Sequence, residues 1–178
     1  MMRYLLSCVL LAALPAMAAT QAATAPASVS ASAPRPADAA NGVWVTPKNK
    51  SHVRIYRAAD GTYRGRIIWL KQPRYPADFK VHALAGKPKV DRHNHDKRLR
   101  ARPVQGLVIL SGFRYAPKKH AWTGGKCYDP EGGKTYTCRM WLKNSDTLMV
   151  RGYVFIFHKT QTWRRDRGFA LPAASTHQ

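Results

Sequence analysis

The stretch that most constrains the fold is Trp122 to Trp141, where two runs rich in aromatic and β-branched residues flank Asp129-Pro130-Glu131-Gly132-Gly133. This is the pattern of a β-hairpin with a short loop. Pro130 presets φ for the turn, and the two glycines accept positive φ without steric penalty. Folding the hairpin at Gly132/Gly133 sets Cys127 and Cys138 opposite each other, so a cross-strand disulfide is within geometric reach. The alternative reading of the pair is two small apolar core residues.

Compartment bears on that choice. Arg3 precedes an apolar run from Tyr4 to Leu14, and Pro15-Ala16-Met17-Ala18 follows with small residues two apart. These are the parts of a secretory signal peptide, with cleavage expected after Ala18. The run is too short to span a bilayer. Removal of residues 1–18 takes Cys8 and Arg3 with it, leaving two cysteines and a formal charge of +20 in place of +21. An even pair in an oxidising periplasmic or extracellular setting favours one structural disulfide. Residues 19–40 are Ala, Thr, Ser and Pro with almost no large apolar side chain, and such a segment is expected to be a disordered linker. Residues 169–178 read as a flexible tail, which leaves 41–168 as one domain with one core.

Within that domain the punctuation is that of strands. Gly42 to Thr46 is a short run stopped by Pro47, and His52 to Ala58 alternates before the turn signal Ala59-Asp60-Gly61. Thr62 to Leu70, Val104 to Phe113, the two arms of the Trp122 hairpin, Thr147 to Phe157 and Thr160 to Arg165 complete the set. No stretch carries a convincing helical period. About eight short strands joined mostly by tight turns predict an all-β antiparallel meander. Closure into an up-and-down barrel of the lipocalin or calycin type removes its exposed edges, with a β-sandwich as the alternative. Residues 71–103 break the rhythm, being too long for a plain loop in a compact domain. Seven cations, Lys87, Lys89, Arg92, Lys97, Arg98, Arg100 and Arg102, stand there against Asp91 and Asp96.

Several separate pieces are shared with a known family: Gly42-Val43-Trp44; Gly65-Arg66-Ile67-Ile68-Trp69-Leu70; Asp91-x-x-Asn94 with Leu99-Arg100-x-Arg102-Pro103; Gly106-Leu107; Trp122-x-Gly124-Gly125; Tyr128-Asp129-Pro130-x-x-Gly133-Lys134-Thr135-Tyr136; and Gln161-Thr162-Trp163. On these the chain resembles the exported bacterial proteins of the domain-of-unknown-function family 2147, from about Gly42 to Arg165. The resemblance implies a secreted or periplasmic β-barrel similar to lipocalins, an amphiphilic ligand such as a fatty acid, and no established activity. The chain departs from the family pattern in carrying Arg64 where a cysteine precedes Gly65, and in its strong basicity.

A barrel that binds a fatty acid needs an apolar cavity with a cation and a hydroxyl aimed at the carboxylate. Residues two apart on a strand share a face, so Arg151 with Tyr153, and Arg54 with Tyr56, are the candidate clamps. Against them, Leu148, Val150 and Val154 form the more apolar face of the later strand, which turns Arg151 outward. His93 and His95 between Asp91 and Asp96 have the spacing of a metal pair, but the surrounding cations oppose a dication, and an exposed polar loop is the better reading. Asp91 and Asn94 are expected to fix the loop through Asx-type hydrogen bonds and pairing with Arg100 or Arg102. The five tryptophans are spread through the strands as core or rim residues.

Eight aspartates and one glutamate, without paired carboxylates, a nucleophile elbow or a phosphate-cradling glycine loop, leave no catalytic residues to name. No cofactor or metal is expected. The leading expectation is a non-catalytic barrel that binds a small amphiphile. The alternative is an electrostatic binder of envelope polyanions or an anionic membrane surface, through Lys87 to Arg102 together with Lys118, Lys119 and Arg164 to Arg167.

Overall fold

The structure, a computed structural model, describes residues 36–169. The expected signal peptide, most of the expected linker and the tail beyond Phe169 lie outside the described residues. Eight antiparallel strands follow one another around a closed barrel in chain order. They are β1 (Gly42–Val45), β2 (Ser51–Arg57), β3 (Tyr63–Leu70), β4 (Val108–Ala116), β5 (Ala121–Asp129), β6 (Lys134–Asn144), β7 (Thr147–Val154) and β8 (Phe157–Asp166). The barrel expected from the sequence is the fold observed, and the sandwich is not.

Several boundaries differ from expectation, and the larger shifts have physical reasons. The fourth strand begins at Val108, not Val104, because Val104 and Leu107 are buried as anchors of the long loop. It runs on to Ala116 through Gly112, whose φ of +71° breaks the regular alternation between Leu110 and Phe113. Thr147 to Phe157 is not one strand: Val154 pairs with Phe157 across a tight turn at Phe155-Ile156, which carries none of the usual turn residues. Within the expected linker, Pro36–Ala40 forms a short 3-10 helix at one end of the barrel. There Trp44 Nε1 donates to the Ala40 carbonyl at 2.8 Å, Trp122 Nε1 to the Ala37 carbonyl at 3.0 Å, and the Tyr63 hydroxyl to Asp38 at 2.8 Å. Two indoles and a phenol that close the barrel end thus satisfy their polar atoms on this segment.

The hairpin register also shifts from expectation. Asp129 pairs with Lys134, Cys127 with Tyr136 and Gly125 with Cys138, so the loop is Pro130 to Gly133 and the cysteines lie diagonally on one face. They are bonded to each other, with Cα atoms 5.9 Å apart.

The interior is filled with side chains. Trp44, Val53, Ile55, Tyr63, Leu110, Phe113, Trp122, Met140 and Leu148 are all essentially inaccessible, and Trp163 joins them. Inward-facing glycines make room for the larger groups. A Cβ on Gly65 would overlap Leu110, and one on Gly125 would overlap the Phe113 ring. Gly125 therefore holds the volume that Phe113 occupies. We expect Gly125→Ala to lower the unfolding free energy by about 2–3 kcal/mol through overpacking, measured by urea denaturation; an unchanged midpoint would show that the ring can move aside.

Candidate functional site

The residues after β3 pack against the outside of the barrel. One carboxylate explains why so polar a segment holds a shape. Asp91 is fully buried, and its oxygens accept from the Tyr128 hydroxyl at 2.6 Å, from Asn94 Nδ2 at 2.8 Å and from the Arg102 guanidinium at 2.8 and 2.9 Å. Asn94 Nδ2 donates in addition to the Tyr128 oxygen at 3.0 Å. Arg100 Nε donates to the Asn94 carbonyl at 2.8 Å, and Val90 pairs with Pro103 beside it. The tether expected of Asp91 and Asn94 is thus formed, with Arg102 as the ionic partner. Burial raises the Tyr128 phenol above its ordinary range, reinforced by its donation to Asp91.

This knot pins the segment over the outer faces of β4, β5 and β6. Ser111 pairs with Lys126 and Lys126 with Thr137, while Tyr128 pairs with Thr135, so these side chains share the outward face. Between them and the segment lies a cleft of about 290 Å³, whose walls include Val108, Ile109, Ser111, Lys126 and Tyr128 on the barrel side and Asn94, His95 and Arg102 on the other. Gly133, with φ of +67°, lets the hairpin loop approach the His93 carbonyl where a Cβ would collide. Lys126 Nζ donates to the Thr137 hydroxyl at 2.9 Å, a neutral partner for a cation. A second recess, of about 350 Å³, lies near the capped end and involves Ala37, Arg57, Tyr63, Arg114 and Tyr115. The sequence motifs had contained Asp91, Asn94 and Tyr128, but nothing in one dimension joined the first two to the third. Lys126 and Ile109 carried no signal beyond strand alternation.

The candidate clamps do not face the interior, as the apolar face of β7 implied for Arg151. Leu148 and Val150 face inward, so Arg151 and Tyr153 face outward, and Arg54 and Tyr56 likewise alternate against buried Val53 and Ile55. Arg151 donates to the Thr160 hydroxyl at 2.8 Å and lies over the Trp141 ring, 5.2 Å from its centroid. The physical reason is the desolvation cost of a guanidinium in a packed apolar interior. The two cation–hydroxyl pairs sit on separate strands, β7 and β2, and no interior carboxylate site is formed by them.

The expected polyanion surface is also divided. Lys118 and Lys119 follow the far end of β4, whose nine residues span about 30 Å from the segment that carries Lys87 to Arg102. Arg165 is committed to backbone carbonyls, and Arg167 pairs with Asp146 at 2.7 Å. Within the segment Arg98 pairs with Asp96 at 2.8 Å, which with its backbone hydrogen bond holds that carboxyl below its usual range. Arg92 lies over the Phe79 ring. Lys87 and Lys97 are exposed. Among the described residues no group of three or more His, Cys, Asp and Glu side chains is placed to hold a metal ion, and no helix is long and apolar enough to cross a membrane.

The family model described as an uncharacterized protein conserved in bacteria, DUF2147, matches residues 42–165, the whole of the barrel but its last residue. The chain belongs to this family. No curated protein matches it. Among solved structures it is similar to protein HP1028 from the human pathogen Helicobacter pylori, described as belonging to the lipocalin family. Identity is 25%, the TM-score is 0.57, and the match covers 72% of this chain and 83% of that one. The shared pieces noted in the sequence map onto three jobs in this DUF2147 barrel. Gly65 and Gly125 admit core side chains, Asp91, Asn94, Arg102 and Tyr128 tie the long segment, and Trp44, Trp122 and Trp163 fill the axis.

Two outcomes follow from the Asp91 knot. Asp91→Ala strands Arg102 and Tyr128 without their acceptor, and should cost about 3 kcal/mol and open residues 71–107 to proteolysis ahead of the barrel; simultaneous cleavage everywhere would contradict a local tether. In alkali the sign is set by Tyr128. Its folded pKa lies above the unfolded value, so its contribution is complete below about pH 10 and is lost as pH rises through the folded value. The wild-type protein should lose stability over that alkaline window more steeply than Tyr128→Phe, measured by denaturation across pH.

Proposed function

We propose that this DUF2147 protein is an exported, non-catalytic binder of a small anionic amphiphile, taken up in the outer cleft beneath residues 71–107 and not along the barrel axis. The observation that carries the reading is the composition of that cleft. Val108 and Ile109 offer an apolar wall, while Lys126, His95 and Arg102 bring cationic or protonatable groups and Ser111, Thr135 and Tyr128 bring hydroxyls to the same space. An amphiphilic anion asks for this combination, with apolar contact along its chain and a charge-assisted hydrogen bond at its head. Lys126 is the group best suited to the head, because its hydrogen-bond partner is neutral whereas the charge of Arg102 is matched by Asp91.

The likeness to a lipocalin-family structure supports small-molecule binding in general terms. Eight-stranded barrels hold either a core or one small ligand along the axis. Here Trp44, Phe113, Trp122, Met140 and Trp163 occupy that space, which is why the reading moves the ligand outside. The cleft lies at the lower end of the ~300–1,000 Å³ usual for ligand pockets, so a short chain fits the reading better than a long one. The leader-like segment before residue 19 supports export.

Isothermal titration with octanoate provides the test. Lys126→Glu should weaken binding at least tenfold, about 1.4 kcal/mol, and Arg151→Gln should leave it unchanged. The reverse pattern, with Arg151→Gln weakening and Lys126→Glu silent, would move the site to the outer face of β7 and overturn the cleft.

A further inference from the structure

The β7–β8 hairpin ends in four consecutive apolar residues, Val154-Phe155-Ile156-Phe157, and none is buried against the barrel. Phe155 is 98% exposed, Ile156 87%, Phe157 72% and Val154 45%. They are the most exposed large hydrophobic side chains among the described residues. The turn that carries them is also unfavourable on local grounds. Val154 pairs with Phe157, so Phe155 and Ile156 occupy a two-residue loop, where Asn-Gly or Gly-containing pairs are normal. Phe155 adopts φ of +52°, a left-handed conformation that bulky side chains avoid. Neither burial nor turn chemistry accounts for an aromatic and a β-branched residue at this tip. A backbone outlier carrying exposed apolar groups points toward an external partner.

Charge identifies the partner's chemistry. Strand direction places the end of β7 at the same end of the barrel as the β5–β6 loop and the segment after β3. That end carries exposed Lys134 at the start of β6 and, two residues from the tip, Lys159. Glu131, the carboxylate of the neighbouring hairpin loop, is paired with Lys50 at 3.2 Å. An apolar tip bordered by lysines matches a surface that is anionic outside and apolar within. We propose that the β7–β8 tip is a wedge that inserts into an anionic lipid bilayer, with the flanking lysines meeting its headgroups. The dimensions agree: two residues on each arm, at about 3.3 Å rise apiece, reach about 7 Å, within the ~5–10 Å depth of interfacial insertion. A second copy of the chain fits less well. A protruding tip of four side chains offers far less than the ~800 Å² per partner of a stable interface, and two chains of formal charge +21 repel.

The test uses the chain from Ala19 onward, which retains every described residue and removes the apolar leader from the comparison. Flotation is measured with vesicles of phosphatidylcholine alone and of phosphatidylcholine mixed equally with phosphatidylglycerol. The wild type should float with the mixed vesicles and at least tenfold less with the neutral ones, declining as salt is raised. Phe155→Asn with Ile156→Gly installs the turn pair that hairpins favour, so it preserves the fold while deleting the wedge. It should reduce partition into the mixed vesicles at least tenfold. Equal flotation of that variant would overturn the proposal and leave electrostatic adsorption alone. Failure of the wild type to float would overturn it as well, as would a wild-type dimer in sedimentation that the variant abolishes. A fluorophore on Ile156→Cys in a Cys8-free chain should be quenched by bromine-labelled acyl chains; quenching only from the headgroup side would again count against insertion.

Discussion

The barrel meets itself along a seam only three residue pairs long, Val43 with Asp166, Trp44 with Arg165 and Val45 with Arg164. Backbone pairing over so short a ladder is a weak closure, and Arg165 supplies what it lacks. Its guanidinium lies 4.2 Å from the centroid of the Trp44 ring and donates to the carbonyls of Ala39, Asn41 and Ser145. One planar cation therefore joins the short helix that caps the barrel, the start of β1 and the β6–β7 turn. Burial lowers its pKa, and the nearby Arg167 acts in the same direction. Lysine, with a compact ammonium, could not reach three divergent carbonyls while stacking on the indole. The capping helix in turn receives the Trp44, Trp122 and Tyr63 hydrogen bonds, so core and seam depend on one another.

Closure of this kind leaves the axis to be filled. Glycines on the inner faces of β3 and β5 yield their space to Leu110 and Phe113 on β4, and the result is a tight interior in which a ligand would have to displace a tryptophan or a phenylalanine. Large groups stacked along the axis stabilise a small barrel by about 1.5–3 kcal/mol per buried side chain. The outside is free of that constraint, and there a polar strand face and a long segment build a cleft without cost to the core.

Much of this was legible in the chain. Alternation in β2 and β7 gave both the strands and their faces, and the outward orientation of Arg151 follows from Leu148 and Val150 on sequence alone. Hairpin turns with Asp60-Gly61 and Asn144-Ser145-Asp146 announce themselves because their residues favour the conformations required. The β7–β8 turn does not, since Phe155 takes a positive φ against its own preference, and a rule built on preference must miss it. The hairpin register slipped for a related reason: the turn was placed on Gly132/Gly133 because glycines favour it, whereas the loop is Pro130 to Gly133 and the disulfide spans a diagonal. The cleft was hidden because it joins positions far apart in sequence, Asp91 with Tyr128 and Arg102 with Lys126, through tertiary packing alone. The capping helix was hidden by composition, for Pro36 to Ala40 is held by hydrogen bonds from Trp44, Trp122 and Tyr63, residues distant in sequence or on the barrel itself, to its carbonyls and to Asp38.

The use made of charge in residues 71–107 explains why counting cations misleads. A segment of that length must overcome roughly 1–2 kcal/mol of backbone entropy per residue, and it buries few apolar groups, chiefly Tyr75, Val104 and Leu107. Polar contacts make up part of the difference. The arginines are the residues committed to them: Arg92 to the Phe79 ring, Arg98 to Asp96, Arg100 to the Asn94 carbonyl and Arg102 to Asp91. Planar guanidinium groups suit directed hydrogen bonding and stacking, whereas lysines keep a hydrated, mobile charge. The segment therefore divides its cations by type, with arginines spent on its own shape and Lys87 and Lys97 left facing solvent. Of these arginines only Arg98 and Arg102 are matched by carboxylates, so any electrostatic attraction this end of the barrel exerts rests on the lysines together with Arg92 and Arg100, and its range is set by salt.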